Sequence, residues 1–578
     1  MKIRYAVVED TFKLVYGDYD RFHPELIDGM EKEIALCGGR NMRVGFQILV
    51  CADEPWALNT GKALWMSQQG PIGCVRLTAD PGVTMNIEDM HEDDDRFFRA
   101  DALLSQEVTE QPAGYTRAVY CEIDIPASVE PGQKEYKVKL FTGRMFEDEE
   151  LVGEVKATVD VYEYTLKNAR DQKFHLDLWQ HSSNLARKHE VPLWSDEHFR
   201  ILEQYVESMA MLGQKAVTLV VTEVPWGGQS CFNEYRMKAN LFEYSIVPLT
   251  VTAEGALKPD FGPMQRYIDL CARYGIKDEL SLYGLMNIWC KPERGFGKIA
   301  EDDPDSLRVR AFDEGKGCYR FLNTEAELEE YIRLLVEYFR KTGQLDRVRI
   351  AADEPADIEK YKKSLERMKR IAPDLKYKAA INHAEFIEEF GEDICDFVPY
   401  SAHVFTHLPV LQKYHKTMKG KRFLWYVCCG PEWPNTFICS DLCETLWIGA
   451  FTSLCGLDGF LRWNYTVFND DPRKDIRYGI FHAGDTNFVY PSPAGKPLLT
   501  LRWKALRRAI WLYEMLEDHR AKYGDEKTDA LIGTVVLNTE TEKYYTDGHW
   551  KSSVVNMDHA AYDGLQKTLL EALSSEKV

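Results

Sequence analysis

Two carboxylic acids stand side by side at Asp353 and Glu354, after the apolar-rich run Val348–Ala352 and immediately before Pro355. Adjacent carboxyls among apolar neighbours cannot ionise equally, because each charge opposes the other and burial opposes both. One is expected to keep its proton near neutral pH and act as a general acid while its neighbour stays anionic, which is equipment suited to cleaving the bond between two sugars. Pro355 is expected to start a helix and to hold Glu354 extended, fixing both acids at the end of a strand. The structural alternative is that Asp353 caps that helix and Glu354 is a solvated first-turn acid.

What positions the pair is an alternation of short apolar runs with longer amphipathic segments from about residue 170 onward. Eight strands are expected, at 174–180, 216–222, 280–288, 348–353, 377–381, 396–400, 423–427 and 459–463. Ser195, Pro263, Thr324 and Pro355 mark helix starts between them, and a last long helix runs from Pro497 to about Glu517. Eight such units predict a (β/α)8 TIM-type barrel, with its active site at the C-terminal ends of the strands. Before it, runs such as MRVGFQILVCA and RAVYCEIDI, separated by turn residues, predict an N-terminal β-sandwich. The expected division is residues 1–165 for the sandwich, 166–525 for the barrel, and 526–578 for an extension packing on the barrel. The acidic stretch from Asn86 to Asp101 reads as a solvated loop.

The expected strand ends are polar and aromatic. Trp179 and His181, Glu223, Asn287 and Trp289, Asn382, Tyr400, Trp425, Arg462, Trp463 and Tyr465 follow or finish successive strands. Aromatic faces there suit stacking on sugar rings, so these side chains, with the exception of the pair at 287 and 289, are taken as candidate substrate-binding residues around Asp353 and Glu354. Trp463 or Tyr465 is expected to form part of the sugar-binding wall, with Arg462 and Asn464 turned away. Glu223 opens a second possibility, as a direct carboxylate nucleophile with Glu354 the acid. A barrel that binds carbohydrate without turnover, and a metal-dependent isomerase using His181 and His383, are the other readings.

Composition removes several classes. With 71 Lys and Arg against 92 Asp and Glu the formal charge is −21, which repels nucleic-acid phosphates and anionic membranes. Neither an export signal nor a run of 18 apolar residues is seen, so a cytoplasmic protein without a membrane span is expected. The 14 cysteines form no paired framework and are expected as reduced thiols. Cys428-Cys429 and Cys439/Cys443 invite a zinc reading, but small buried hydrophobes are the commoner use. No metal and no cofactor is expected.

The chain resembles the glycoside hydrolase family 123 catalytic domain. The carriers are DLWQH at 177–181, LWSDEHF at 193–199, ADEP at 352–355, GFLRWNY at 459–465, DP at 471–472, AGDTNFVYP at 483–491 and LRWKALRRAIWLYEML at 501–516. The resemblance implies a retaining β-N-acetylgalactosaminidase that works by substrate assistance. The substrate's 2-acetamido oxygen would attack the anomeric carbon, Asp353 would orient the acetamido N–H, and Glu354 would protonate the leaving oxygen. The implied partner is an oligosaccharide or glycoconjugate fragment.

Overall fold

The structure, a computed structural model, describes the chain apart from residues 18–21, 63–66, 68–69, 71, 145–146, 226–241, 287–297, 470, 478–480, 539, 547–548 and 576–578. The N-terminal region is β-rich. One six-stranded sheet joins Ile3–Glu9, Met42–Ala52, Arg117–Ile125, Val83–Glu92, Phe98–Leu103 and Val15–Tyr16, in that order. A second joins Glu33–Arg40, Glu150–Thr165, Gly132–Gly143, Gly73–Ala79, Trp56–Asn59 and Val108–Gln111. Alternate residues such as Phe46, Ile48 and Val50 from the first sheet and Leu77, Leu140 and Val155 from the second share one apolar cluster, as strands with one buried face require.

The acidic stretch 86–101 is not a solvated loop. It forms parts of two paired strands, Val83–Glu92 and Phe98–Leu103, and Glu88, His91, Asp93 and Asp101 are buried. The partners of Asp101 come from far along the chain, which local polarity cannot reveal. Asp101 receives the Arg502 guanidinium at 2.8 and 2.9 Å and the Tyr490 hydroxyl at 2.9 Å. Lys504 reaches Glu122 at 3.0 Å and Arg508 reaches Asp10 at 2.8 Å. One helix, Leu501–Tyr523, thereby fastens the β-rich region to the C-terminal helix and strand domain.

Among the described residues that domain holds two linked sheets of eight parallel strands, β1 His175–Leu178, β2 Ala216–Val220, β3 Glu279–Tyr283, β4 Val348–Asp353, β5 Tyr377–Ile381, β6 Ile394–Pro399, β7 in two segments (Arg422–Phe423 and Tyr426–Val427) and β8 Gly459–Arg462. β2 to the first segment of β7 form one sheet; the second segment, β8 and β1 form another. Parallel bridges Tyr400↔Tyr426 and Leu176↔Gln214 connect the two. All eight expected strands are present, with ends within five residues of expectation. Ser195, Thr324 and Thr500 cap their helices through the side chain, and Pro263 sits in the first turn of Gly262–Arg273. A closing helix, His559–Ser574, packs on Leu501–Tyr523 and on the second N-terminal sheet.

Candidate active site

Side chains alternate along each strand, and that alternation sorts the domain's interior into two layers. Val348, Ile350 and Ala352 of β4, with Leu280 and Leu282 of β3, Phe423 and Trp425 of β7 and Phe460 of β8, belong to the main core against the helices. The intervening positions gather in a separate cluster containing Trp179, Tyr283, Ala351, Ala380, Tyr426 and Leu461, with Tyr400 and Trp463 partly buried against it. Asp353 shares parity with Ala351 and Tyr283, so it lies on this second face.

Glu354 should then point the opposite way, into the helices. It does not. Its φ is 42°, a left-handed conformation that costs a residue with a side chain about 1–3 kcal/mol. The reversal lets two consecutive acids face the same cluster. Glu354 N–H still donates to Ala380 O at 2.9 Å, while its carboxylate accepts the Tyr426 hydroxyl at 2.5 Å and the Asn382 amide at 3.2 Å. The expectation that Pro355 holds Glu354 extended is therefore corrected. So is the helix start: the helix spans Ile358–Ile371, and Asp357 caps it by accepting from Lys360 N at 2.9 Å. A capping role for Asp353 falls with it.

The surroundings oppose charge on both acids. Burial, then the charge of Glu354, pushes the Asp353 carboxyl up to about 8, against the pull of the Tyr283 hydroxyl. Burial also raises Glu354, with Tyr426 and His383 acting in the other direction. Such a pair titrates as a unit and keeps one proton through neutral pH.

Of the other expected residues, several meet the pair or its layer. Asn382 touches Glu354 directly. Trp179 packs 5.3 Å from Tyr283 and donates its indole N–H to Asp177 at 3.3 Å. Tyr400 lies 5.4 Å from the Tyr426 ring. Trp463 packs 5.2 Å from Phe481 and donates to Asp485 at 2.9 Å. His181 is buried edge-on to Trp463, its Nε2 3.0 Å from the Trp463 carbonyl, and burial lowers its pKa to about 4. Glu223 is gripped by both arms of Arg310, at 2.5 and 3.0 Å, so its oxygens are already engaged by a cation.

Three residues do not join the layer. Trp425 is fully buried among Trp447, Phe451 and Phe460 and donates to Thr452 at 2.8 Å. Arg462 is fully buried too, with its guanidinium on Thr436 and on the carbonyls of Asn464, Asp485 and Gly484. Both sit one residue out of phase with Tyr426 and Leu461, so Trp425 packs on the helices and Arg462 on the loops that follow the strands. Tyr465 has the right parity, but β8 ends at Arg462, and a turn in which Asn464 Oδ1 accepts from the backbone N–H groups of Thr466 and Val467 carries its hydroxyl to Ser208 at 2.7 Å. Tyr465 is thereby corrected as a sugar-binding candidate, while Trp463 stays against the layer. Asn287 and Trp289 lie outside the described residues.

Tyr283, Tyr426 and Asp485 were missed as site candidates. Counting back in twos from Asp353, and across to the same level of β3 and β7, would have found the two tyrosines; Asp485 lies within the AGDTNFVYP motif, the signal that could have found it. Beneath the layer, Lys378 binds Asp177 and Glu279, Arg422 binds Glu279 and Asp396 at 2.8 and 3.0 Å, and Arg349 binds Asp396. Three cations thus match three anions in a buried plug, and Trp179 on Asp177 ties it to the site above. Among the described residues no group of three or more His, Cys, Asp or Glu side chains is placed to hold a metal ion, and no helix is long and apolar enough to cross a membrane.

The sequence model of the family described as glycoside hydrolase 123, catalytic domain, matches residues 179–518, which include every strand-end residue discussed above. Among solved structures, a family 123 glycoside hydrolase from Clostridium perfringens, studied for glycolipid glycan hydrolysis, superposes with a TM-score of 0.74 at 14% identity, covering 99% of this chain and 97% of that one. At that identity the likeness speaks for the fold alone. Weaker likenesses include a cyclic α-maltosyl-(1→6)-maltose hydrolase from Arthrobacter globiformis, with a TM-score of 0.33, 14% identity and coverage of 61% and 84%. A β-D-glucuronidase of Dictyoglomus thermophilum gives a TM-score of 0.30, 10% identity and coverage of 80% and 66%. No curated protein sequence matches the chain.

Proposed function

The chain belongs to the glycoside hydrolase 123 catalytic-domain family, and from that premise we propose that it is a retaining, exo-acting β-N-acetylgalactosaminidase or a close hexosaminidase relative working by substrate assistance. The observation that carries the reading is the turning of Glu354 into the same aromatic layer as Asp353, at a cost in backbone strain that a merely solvated acid would not need. The eight parallel strands are read as one closed (β/α)8 barrel, residues 166–525, behind a sandwich of residues 1–165, with residues 526–578 as an extension. The site then occupies the C-terminal ends of the strands, where such barrels carry their chemistry.

In this mechanism the acetamido oxygen of the substrate attacks the anomeric carbon, and the glycosidic C–O bond breaks as Glu354 gives its proton to the leaving oxygen. Water, deprotonated by Glu354, then attacks the anomeric carbon from the face the leaving group vacated and breaks its bond to the oxazoline oxygen, so configuration is retained. Within the protein alone, Tyr426 and Asn382 donate to Glu354 and favour its ionised form, leaving the shared proton on Asp353. An acetamido N–H donating to Asp353 favours the ionised form there instead and sends the proton to Glu354, where the leaving group needs it. Substrate with a 2-acetamido group thus arms its own acid. Trp179, Tyr400 and Trp463 supply apolar faces for the sugar, and His181 fixes the Trp463 backbone. The substrate is read as an oligosaccharide or glycoconjugate met in the cytoplasm.

Direct attack by Glu223 is the weaker reading, because Arg310 holds both of its oxygens. The test is hydrolysis of aryl N-acetyl-β-galactosaminide beside the matching 2-hydroxy galactoside, with the product anomer followed by NMR. Cleavage confined to the acetamido sugar, with retention, is expected. Equal cleavage of both sugars, or inversion, would overturn substrate assistance.

A further inference from the structure

The site-facing end of β7 carries two thiols in succession. Cys428 packs partly buried against the same aromatic layer as Tyr400 and Trp463, Cys429 beside it is exposed, and their sulfurs stand 3.9 Å apart. We propose that Cys428 and Cys429 form an oxidation site at which a hydroperoxide closes a disulfide between neighbours and so switches off glycoside hydrolysis, a consequence that rests on the active-site reading above.

The order of events follows from the two environments. The contact between the two sulfurs holds the Cys429 thiol below the usual range, while that contact and burial keep Cys428 well above it. Cys429, exposed and the more readily ionised, is the nucleophile. Its thiolate attacks a peroxide oxygen, the O–O bond breaks, and a sulfenic acid forms as an alcohol or water leaves. The Cys428 sulfur then attacks the sulfenyl sulfur, the S–S bond forms, the S–O bond breaks, and the Cys428 proton leaves with the hydroxide as water. Two thiols are oxidised and one peroxide is reduced. Adjacent Cα atoms are about 3.8 Å apart, shorter than most disulfides span, so the ring is strained and open to reduction by small thiols.

Closing the ring must pull the sulfurs together by about 2 Å, and the peptide between them is anchored. The Cys428 carbonyl accepts the Asn435 amide at 3.0 Å, and Asn435 is itself held through its backbone N–H by Glu444 at 2.9 Å. Strain therefore passes along β7 to Tyr426, two residues earlier, whose hydroxyl holds Glu354. It also passes to Tyr400, because the backbone at Gly430 runs so close that a β-carbon there would lie 2.7 Å from the Tyr400 hydroxyl. Both Cys428 and Cys429 lie within electrostatic reach of Glu354.

The test treats the full-length protein with stoichiometric hydrogen peroxide, alkylates the remaining thiols, maps the peptide containing Cys428 and Cys429 by mass, and follows aryl N-acetyl-β-galactosaminide hydrolysis. The peptide is expected to lose two hydrogens and accept no alkyl group, kcat/KM to fall by about tenfold or more, and dithiothreitol to reverse both. Cys428→Ser and Cys429→Ser should each hold their own rate through the peroxide step. A doubly alkylated peptide overturns the proposal, as does a disulfide that leaves the rate within about twofold of the untreated enzyme, or serine variants that lose and regain rate as wild type does. Should the untreated protein cleave no glycoside, the reading of the acids fails, whereas the peptide map still decides for or against the disulfide.

Discussion

Replacing Tyr426 by Phe removes one oxygen from a buried ring and leaves its packing in place. The lost hydrogen bond, 2.5 Å to Glu354, is made to a carboxylate in an apolar layer, where such bonds are worth about 1.5–3 kcal/mol. The hydroxyl favours the ionised form, so its loss raises the Glu354 pKa, by about one to two units at about 1.4 kcal/mol per unit. Glu354 must be protonated to expel the leaving group and ionised to activate water. Because bond breaking needs Glu354 protonated and Asp353 ionised, the alkaline limb of kcat/KM should move to higher pH by about one unit or more, and kcat at neutral pH should fall by about tenfold as water activation loses the ionised form. Aryl glycoside kinetics from acid to alkaline pH read both quantities, and a thermal melt near that of wild type excludes a folding defect. An alkaline limb that stays in place with kcat within about twofold of wild type would refute the assignment of Glu354 as the proton carrier.

The two acids should separate by leaving group. Glu354→Gln should cost most on poor leaving groups and least on activated aryl glycosides, whereas Asp353→Asn should lower kcat/KM for both by about a hundredfold or more, since charge building on the acetamido nitrogen loses its carboxylate. Asp353→Asn should also stabilise the fold: because the Asp353 pKa is raised to about 8, wild-type stability from this group is greatest at low pH and is lost as pH rises toward 8, so the variant's gain in melting temperature should be larger at pH 8 than at pH 5. Glu223→Gln should leave the rate within about threefold of wild type, and a loss beyond about a thousandfold would return the nucleophile to Glu223. Trp425→Ala should cost about 3–5 kcal/mol in urea unfolding with KM unchanged, whereas Trp463→Ala should raise KM. Lys378→Met should destabilise by about 3–5 kcal/mol, because Asp177 would be left buried without its cation and Glu279 with Arg422 in place of two; a melt within a degree or so of wild type would sink the account of the plug.

Periodicity was enough to find the eight parallel strands, the β-rich start and most helix starts, because those features depend on residues close in sequence: apolar alternation, a capping Ser or Thr, a proline in a first turn. The acid pair was legible for the same reason, two carboxyls ending one apolar run. What each strand-end side chain faces was not. Trp425 and Tyr426 are adjacent and both aromatic, and only the pairing of β7 with β6 and β8 decides that Tyr426 reaches Glu354 while Trp425 packs on helices. Asp101 looked solvated because Arg502 and Tyr490, which donate to its carboxylate, lie some 400 residues away. Glu354 turns inward through a left-handed backbone that no preference of Glu or of the residue before proline foretells; it is imposed by Ala380, Asn382 and Tyr426, which the chain brings to it only when the strands assemble.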